Sequence, residues 1–412
     1  MRVRSGGCSN TGNIKAYNED YWGVDPSGYI FILADGMSSA GGGEIASSKT
    51  CQSVVRALLP NREKLGSLAD DSKPDSRHTL ISALKGAVIR SEREIYDAIE
   101  ANPKLKGIAS TCDLLFLANG SAFGTHIGNG RIYLLRGETG RQLTLDHNVY
   151  EYLRSQGVEE SKLANYPHKN KLIRALGMSG GSDIDTLQVD LRQGDRIVMC
   201  SDGLHRYIQS PTHLAQLCQS MDPQSAAEFL CQYALDKGGE DNVTVICIEV
   251  SDPGARSSAI ETDSKITALG NISFFCGLNY QEMLQIMPIT FEQMVEPNTE
   301  IIREGDEGEN FYMLVSGKCI VTSGGVKIAT LEPGAAFGEL SLLDRQPRSA
   351  TITSLEKCKL LVIRASDFER LTQSGTLAVK LLWNVVHDLS ERLRKSSDKI
   401  RNQGLELARR NL

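Results

Sequence analysis

Runs of apolar residues separated by polar turns divide roughly the first 250 residues into short strands and a few longer helices. The uniformly apolar run at 29–34 is followed by Asp-Gly, which is typical of a buried strand that ends in a turn. Helical character predicts helices at 44–59, 79–100, 212–219 and 225–236, and further apolar runs predict strands at 113–118, 124–127, 131–135, 195–200 and 243–250. Many short strands with few helices predict packed sheets covered by helices.

The remaining 150 or so residues follow a different pattern. Short helical segments around 280–287 precede a stretch in which glycine-containing turns recur roughly every 8 to 12 residues, which predicts a small β barrel or sandwich. A long helix is predicted from about residue 376 into the 390s. It carries Leu382, Val386, Leu389 and Leu393 at spacings of four, three and four. This heptad-like seam is compatible with a dimer interface, with capping of a ligand, or with packing on its own domain.

The segment 251–265 separates the two patterns. It is polar, rich in small residues and without helical or strand periodicity. We therefore predict two domains, at 1–251 and 267–412, joined by a linker at 252–266.

The composition limits the class of protein. Hydrophobic residues make up 41% and charged residues 23% of the 412 positions, values typical of globular chains. A net charge of −6 gives no broad basic surface for nucleic acid or an anionic membrane. The N-terminus lacks a signal-peptide pattern, and no apolar run approaches the roughly 18 residues of a membrane span. Because the ten cysteines show no C-x-x-C spacing, we expect a reduced, cytoplasmic protein.

Acidic residues recur beside the predicted strands. Asp35 and Asp202 each end an apolar run and precede a glycine, Asp241 comes just before a strand, and the Glu19–Asp20 pair precedes another. A single Asp-Gly after a strand is usually only a tight turn. Several such carboxylates at shared strand ends would repel one another unless cations neutralised them. Oxygen-only ligands favour Mg²⁺ or Mn²⁺ over zinc, so the pattern indicates a site for a hard divalent cation.

Six motifs in order make the first segment resemble the metal-dependent Ser/Thr protein phosphatases of type 2C. They are NED at 18–20, ADGM at 34–37, LTLDH at 143–147, RALG at 174–177, CSDGL at 200–204 and GGEDNVTV at 238–245. The resemblance covers about residues 1–250. It implies an α+β fold in which two antiparallel sheets form an α-β-β-α sandwich. It also implies hydrolysis of a phosphate ester by metal-activated water, without a covalent enzyme intermediate.

The same resemblance implies roles for individual residues. Two Mn²⁺ or Mg²⁺ ions would be held by Asp35, the carbonyl of Gly36, Asp202 and Asp241. Glu19 would act through a water, and Asp20 completes the supporting acidic pair. The candidate catalytic residues are therefore Asp20, Asp35, Asp202 and Asp241.

Two positions depart from the family pattern. Lys15 stands where the family has an arginine that grips the substrate phosphate, so the charge is kept but the bidentate fork is lost. Asn129 replaces an aspartate that helps relatives bind a third metal, and a neutral amide is a poorer ligand for a hard dication. These departures keep open a pseudophosphatase that acts as a scaffold. None of the nearby histidines, His126, His147 and His205, is assigned as the general acid.

The second segment contains a candidate ligand site at 337–352, FGELSLLDRQPRSATI. Gly338 allows close backbone approach, Glu339 offers a carboxylate to a ribose hydroxyl, and Arg348 can give two donors to a phosphate. Together with the EGD motif at 304–306 and the strand FYMLVSGK, this stretch makes about residues 270–395 resemble the cyclic-nucleotide-binding domain. The resemblance implies a jelly-roll barrel with flanking helices.

It further implies that cAMP or cGMP is the ligand. Glu339 would take the ribose 2′-hydroxyl, Arg348 the cyclic phosphate, and Ser349 a phosphate oxygen or the base. The contacting residues implied are Gly338, Glu339, Leu340, Ser341, Arg348 and Ser349.

These observations predict a cytoplasmic protein phosphatase that acts on phosphorylated protein substrates and is regulated by cyclic nucleotide at a C-terminal sensor. No nucleic-acid partner or membrane span is expected, and a homodimer through the terminal helix is one expectation for its assembly. One rival hypothesis is the pseudophosphatase scaffold, and another keeps the phosphatase but makes the sensor a vestigial module. The choice of base and the sign of regulation stay open.

Overall fold

The computed structural model describes residues 1–412 except 26, 40, 72–73, 164, 179–182, 255–264, 268, 271, 339–345, 373–376, 388–389, 391–393 and 395–412. The chain divides into two compact units, one of Met1–Ser264 and Met283–Pro288, the other of Lys265–Glu282 and Ile289–Leu412. The predicted linker falls largely on 255–264, which lie outside the described residues. The boundaries at 251 and 267 therefore stay a prediction.

The first unit combines short strands with helices of four to 28 residues. Its strands are β1 (Arg2–Asn10), β2 (Asp20–Val24), β3 (Ile30–Met37), β4 (Ala109–Ser110), β5 (Cys112–Ala118), β6 (Ser121–Ile127), β7 (Arg131–Arg136), β8 (Thr139–Gln142), β9 (Asp185–Asp190), β10 (Arg196–Cys200) and β11 (Val243–Asp252). Its helices are α1 (Gly43–Leu58), α2 (Arg62–Asp70), α3 (Pro74–Ala101), α4 (Val149–Ser155), α5 (Glu160–Leu163), α6 (Asp202–His205), α7 (Pro211–Leu217) and α8 (Pro223–Asp236).

Two antiparallel sheets organise this unit. One has the order β1-β11-β10-β7-β8, and the other has the order β2-β3-β5-β6-β9 with β4 paired to β3. The predicted mixture of antiparallel sheets and helices is therefore confirmed. Trp22 on β2 packs against Gly7 on β1, where a Cβ atom would lie 2.5 Å from the indole ring. The two sheets thus contact each other directly through this pair.

Strands at the centre of these sheets are buried on both faces. On β3, Ile32 and Ala34 pack into a core that includes residues of α1 and α3, while Phe31 and Leu33 on the opposite face are also fully buried. On β11, alternate residues pack against α7 and α8 in the same way. Burial on both faces explains why these strands have continuous apolar sequences instead of alternating ones.

The rest of the chain is mainly strand. It contains α9 (Tyr280–Ile286), β12 (Thr290–Val295), β13 (Glu300–Ile302), β14 (Asn310–Ser316), β15 (Cys319–Ser323), β16 (Val326–Leu331), β17 (Ala336–Phe337), β18 (Thr351–Ser354), β19 (Cys358–Arg364) and α10 (Ala365–Thr372). The strands form two four-stranded antiparallel sheets, β12-β19-β14-β17 and β13-β18-β15-β16. Residues from both sheets share one apolar core. Strand pairing does not close these sheets into a continuous barrel within the described residues.

Residues 377–387 near the C-terminus are helical. Leu381 and Val385 are buried, with 0% and 4% exposure, whereas Leu382 and Val386 of the predicted seam are 41% and 60% exposed. Leu389 and Leu393 lie outside the described residues. The two described residues of the seam are thus exposed, and the homodimer stays a prediction. No helix in the described part of the chain is long and apolar enough to cross a membrane.

Candidate metal centre and ligand site

Four predicted site residues come from the ends of strands in both sheets. Asp20 begins β2 and pairs in register with Asp35 on the adjacent β3. Asp202 begins α6, two residues after β10 ends, and Asp241 lies two residues before β11, the neighbour of β10. Each sheet therefore supplies two carboxylates to the same region of the unit.

Hydrogen bonds connect these carboxylates, because Ser201, the neighbour of Asp202, contacts Asp20, and Arg206 contacts both Asp202 and Asp241. Burial, followed by repulsion from Asp20, Asp202 and Asp241, raises the pKa of Asp35 well above its ordinary value. Burial is also the main cause that raises the pKa of Asp20 to about 7, with further contributions from Asp202 and Asp241. Ser201 donates a hydrogen bond of 2.8 Å to Asp20 Oδ2, while the buried Oδ1 has no partner. The cluster thus carries more negative charge than its surroundings neutralise.

The glycine after each aspartate is required by close packing, not by a turn. A Cβ atom on Gly36 would lie 2.0 Å from the carbonyl oxygen of Gly43, and one on Gly203 would lie 2.0 Å from that of Asn242. Neither glycine has a positive φ. The prediction that the strand ends in a turn at Asp-Gly is therefore wrong, because β3 continues through both residues to Met37.

Glu19 connects this cluster to α1. Its Oε1 accepts a hydrogen bond of 3.1 Å from the N–H of Gly43, the first residue of the helix. Its carbonyl accepts from Gly36 N–H at 3.0 Å and from the Ser47 hydroxyl, and its own N–H donates to Asn242 Oδ1 at 2.9 Å. These bonds fix the backbone of both Glu19 and Gly36 beside the aspartates.

Three donor side chains contact the outer aspartates. Lys15 Nζ lies 2.8 Å from Asp241 Oδ1. Arg206 Nη2 donates to Asp202 Oδ2 at 3.0 Å and to Asp241 Oδ2 at 3.1 Å. Asn129 Nδ2 donates to Asp202 Oδ2 at 3.2 Å. Lys15 and Asn129 stand out in the sequence because they depart from the family motifs, whereas Arg206 does not.

The donor chemistry of this centre fits a hard divalent cation. All candidate ligands are oxygens, the cluster is short of positive charge, and one buried carboxylate oxygen, Asp20 Oδ1, has no hydrogen-bond partner. Within the part of the chain that the structure describes, no three Asp, Glu, His or Cys side chains are already arranged to hold a metal ion. Lys15 and Arg206 contact carboxylate oxygens of Asp202 and Asp241 that are candidate ligands for such an ion.

The histidines near the centre bind the surrounding loops. His126 lies between Asp113 Oδ1, 2.7 Å from Nδ1, and the carbonyl of Leu145, 3.0 Å from Nε2. His205 Nε2 donates to the carbonyl of Asn129 at 2.9 Å. Both ring nitrogens of His126 and Nε2 of His205 therefore make structural contacts, and neither residue is assigned as the general acid.

His147 is held in its neutral form. Its Nδ1 accepts a 3.2 Å hydrogen bond from Gly128 N–H, which requires that this nitrogen carry no proton. Burial is the main cause that lowers the pKa of His147 to about 4, although Asp185, 3.2 Å from Nε2, opposes the shift.

The neutral state of His147 predicts acid sensitivity. In the unfolded chain His147 takes up a proton near pH 6.5, whereas in the folded chain it does so only near pH 4. Its contribution to the free energy of unfolding is therefore fully present above pH 6.5 and is lost as the pH falls towards 4. His147→Gln, which keeps an acceptor for Gly128, should therefore lose about 2 kcal/mol less stability than the wild type between pH 7 and 5. Urea unfolding of both proteins at several pH values measures this difference, and parallel stability curves would contradict it.

The second candidate site is built around a buried arginine. Arg348 is 8% exposed and donates from Nη1 to the carbonyl of Gly338 and from Nη2 to that of Asn310, both at 2.7 Å. Its backbone pairs with the EGD motif, because its N–H donates to the Asp306 carbonyl and its carbonyl accepts from Gly305 N–H, both at 2.8 Å. The structure thus brings together motifs that are more than 30 residues apart in the sequence.

The other predicted residues of this site divide into two groups. Gly338 has φ +84°, and a Cβ atom there would lie 2.7 Å from Arg348 Nη1, so a glycine is needed. Ser349 is exposed beside Arg348. Glu339, Leu340 and Ser341 lie outside the described residues.

Antiparallel sheets with helices and an acidic centre, followed by a β unit with a buried arginine, define a domain with a candidate metal centre joined to a domain with a candidate anion site. The family model for protein phosphatase 2C matches residues 13–236, and the model for the cyclic nucleotide-binding domain matches residues 292–374. The chain therefore belongs to the protein phosphatase 2C family and carries a cyclic nucleotide-binding domain after the phosphatase domain.

Individual relatives agree with this assignment. The serine/threonine phosphatase stp of Listeria monocytogenes is 32% identical over 248 residues, which are 58% of this chain and 93% of that protein. The serine/threonine protein phosphatase PstP of Mycobacterium tuberculosis is 32% identical over 252 residues, 61% of this chain and 45% of that protein. The crystal structure of the M. tuberculosis phosphatase PstP/Ppp matches with a TM-score of 0.52 and 28% identity, over 61% of this chain and 99% of that one.

Proposed function

We propose that the chain is a Mn²⁺- or Mg²⁺-dependent phosphatase that removes phosphate from phosphoserine and phosphothreonine in proteins, and that cyclic nucleotide regulates it. The observation that carries the enzymatic part is the convergence of Asp20, Asp35, Asp202 and Asp241 from two sheets, where burial and then mutual repulsion raise the pKa of the first two. The names of the relatives, which specify serine and threonine, support the substrate class. The α-β-β-α sandwich is the finer fold that we propose for this domain.

In this proposal Asp35, the Gly36 carbonyl, Asp202 and Asp241 hold two divalent cations, with Glu19 acting through a water. When bound, such a pair of ions activates a water for direct attack on phosphorus and neutralises charge on the phosphoryl oxygens. The chain itself holds the carboxylates on rigid strand ends. Ser201 orients Asp20, and the bonds from Gly43 and Ser47 orient Glu19. This anchoring limits the reorganisation needed at the centre.

Lys15 is the residue that we propose meets the substrate phosphate. Its ammonium lies beside Asp241 and is partly exposed, so it can approach an anion at the edge of the centre. Hydrogen bonding to Asp241 is the main cause that raises its pKa, which keeps the side chain charged. A lysine gives a point charge, whereas an arginine would give two parallel donors.

Lys15→Arg is therefore expected to lower KM for a phosphopeptide several-fold while changing kcat little. Steady-state kinetics at saturating Mn²⁺ measure both constants. An unchanged or higher KM would argue against contact between residue 15 and the phosphate.

For the second domain we propose a jelly-roll of two sheets that binds cAMP or cGMP. Arg348 would bind the cyclic phosphate, Glu339 the ribose, and Ser349 a phosphate oxygen or the base, with Gly338, Leu340 and Ser341 completing the contacts. The buried position of Arg348 between two carbonyls supports its role, because a buried arginine is already desolvated and oriented for an anion.

The experiment that tests regulation is the phosphatase rate of the full chain with and without each nucleotide. A ligand changes activity only if it binds the active and inactive states with different affinity. We expect a change in rate at saturating cAMP or cGMP that is lost in Arg348→Lys. No change with either nucleotide, together with binding measured by calorimetry, would contradict the regulatory proposal and leave the phosphatase proposal intact.

The cytoplasm is the compartment that we propose. All ten cysteines are unpaired thiols, nine of them buried or partly buried, as suits a reducing environment. Fractionation of cells that express the full chain tests this, and recovery only from an oxidising compartment would contradict it.

A further inference from the structure

Arg206 occupies the outer side of the carboxylate cluster. It follows the one-turn helix α6, and its Nε donates to the backbone carbonyl of Asp202 at 3.1 Å. From this anchor, Nη2 reaches the Oδ2 atoms of both Asp202 and Asp241, at 3.0 and 3.1 Å. One guanidinium nitrogen thus bridges a carboxylate from each of two chain segments, the geometry that a small cation would use.

The two carboxylates cannot give the same oxygens fully to a guanidinium and to a divalent ion. We propose that Arg206 is a resident counter-ion of the metal centre, which a divalent cation must displace from Asp202 and Asp241 before it binds. This inference rests on the proposed metal dependence. It makes Arg206 a positioning residue that lowers the affinity for metal and holds the aspartates together when no metal is bound.

The structure also provides a second partner for the displaced guanidinium. Arg206 Nη1 lies 3.7 Å from Oε2 of Glu240, the neighbour of Asp241, and Glu240 is 69% exposed on the solvent side. Rotation of the guanidinium outwards would exchange the two inner carboxylates for this outer one, while the Nε bond to the Asp202 carbonyl could persist. Glu240 therefore assists metal binding by stabilising the displaced position of Arg206.

The other donor side chains at the centre do not contact both Asp202 and Asp241 as Arg206 does. Lys15 contacts Asp241 at a different oxygen, Oδ1. Asn129 donates to Asp202 through a neutral amide, which brings no charge. Arg206 is the described cation that contacts both aspartates, so its removal should have the larger effect on metal affinity.

The test is Mn²⁺ binding measured by calorimetry on the chelator-treated full chain. Arg206→Gln is expected to bind Mn²⁺ about three- to tenfold more tightly than the wild type, the range of a partly exposed ion pair. Glu240→Gln is expected to bind it about twofold more weakly. In the double variant, the Glu240 substitution should have no further effect, because its partner is gone.

Each outcome of this cycle decides the inference. Equal or weaker Mn²⁺ binding by Arg206→Gln overturns it. If Glu240→Gln weakens Mn²⁺ binding equally in the wild type and in Arg206→Gln, Glu240 acts by long-range charge, and the proposed contact between Glu240 and a displaced Arg206 is wrong. Repeating the titration at high salt separates the two effects, because screening reduces long-range attraction more than direct contact.

Failure of the inference is distinguishable from failure of the proposed function. If the wild type binds Mn²⁺ and Arg206→Gln has the same dissociation constant, only the inference fails. If neither protein binds Mn²⁺ at millimolar concentration, both fail. In EDTA, Arg206→Gln should also unfold at a lower temperature, because the aspartates lose their counter-ion. If this variant does not fold, Arg206→Met, which keeps an unbranched side chain but removes the charge, replaces it, and unchanged Mn²⁺ affinity there overturns the inference.

Discussion

Replacing Asp35 by asparagine is expected to abolish Mn²⁺-dependent phosphatase activity and, at the same time, to stabilise the metal-free protein. The loss follows from removing a central carboxylate ligand, since metal assistance contributes several kcal/mol to such reactions, or about a thousandfold in rate. The gain follows from burial and then from repulsion by Asp20, Asp202 and Asp241, which together raise the pKa of Asp35. At neutral pH a charged Asp35 therefore costs stability that a neutral asparagine does not.

A matched control comes from another buried aspartate. Asp195 is 1% exposed and accepts two hydrogen bonds of 2.8 Å from Arg136, one to each carboxylate oxygen. Asp195→Asn removes half of a buried ion pair, so it should lower the unfolding temperature, the opposite of Asp35→Asn. Thermal unfolding in EDTA and phosphopeptide turnover with Mn²⁺ measure both effects. Retention of turnover by Asp35→Asn would contradict the metal-centre proposal. Negligible turnover by the wild type itself would favour the pseudophosphatase.

The folding pattern of the chain could be predicted where burial leaves a strong apolar signal. The predicted strand at 243–250 corresponds to β11, and the predicted helix at 44–59 corresponds to α1. Strand β1, Arg2–Asn10, was not predicted because its residues are mostly polar or small and none is fully buried. Its place depends on pairing with β11 and on Gly6 and Gly7, where Cβ atoms would clash with Gln224 and Trp22. Such tertiary requirements leave no periodic pattern.

The candidate site could be predicted only in part for a similar reason. The four aspartates stand in local motifs beside predicted strands, which indicated a site for a divalent cation, but the set of ligands came from the family resemblance of those motifs. Arg206 stands in no such motif, and its role depends on contact with Asp241, 35 residues further along the chain. In the same way, the two carbonyls that hold Arg348 belong to Gly338 and Asn310, which come together only because β14 and β17 pair.

Replacing Arg348 by lysine is expected to weaken binding of cAMP and cGMP by about a hundredfold or more. Hydrogen bonds to a charged group contribute about 1.5–3 kcal/mol each, and a lysine cannot supply two parallel donors to one phosphate. In the structure the guanidinium is buried and oriented by the carbonyls of Gly338 and Asn310, so little reorganisation precedes contact with an anion. Because both nucleotides carry the same cyclic phosphate, the loss should be equal for the two.

Calorimetric titration of the full chain with each nucleotide measures this loss. Ser349→Ala is the control at the neighbouring position, because Ser349 is exposed and its hydroxyl is expected to contact either the phosphate or the base. This substitution should weaken binding less than Arg348→Lys does, and the loss can differ between the two nucleotides. Thermal unfolding without ligand separates a binding role from the structural role of the two carbonyl bonds. An Arg348→Lys variant of normal stability that binds both nucleotides as tightly as the wild type would exclude Arg348 from the phosphate site. Equal and strong loss with both would place Arg348 at the sugar-phosphate part that the two nucleotides share and would exclude a contact with the base.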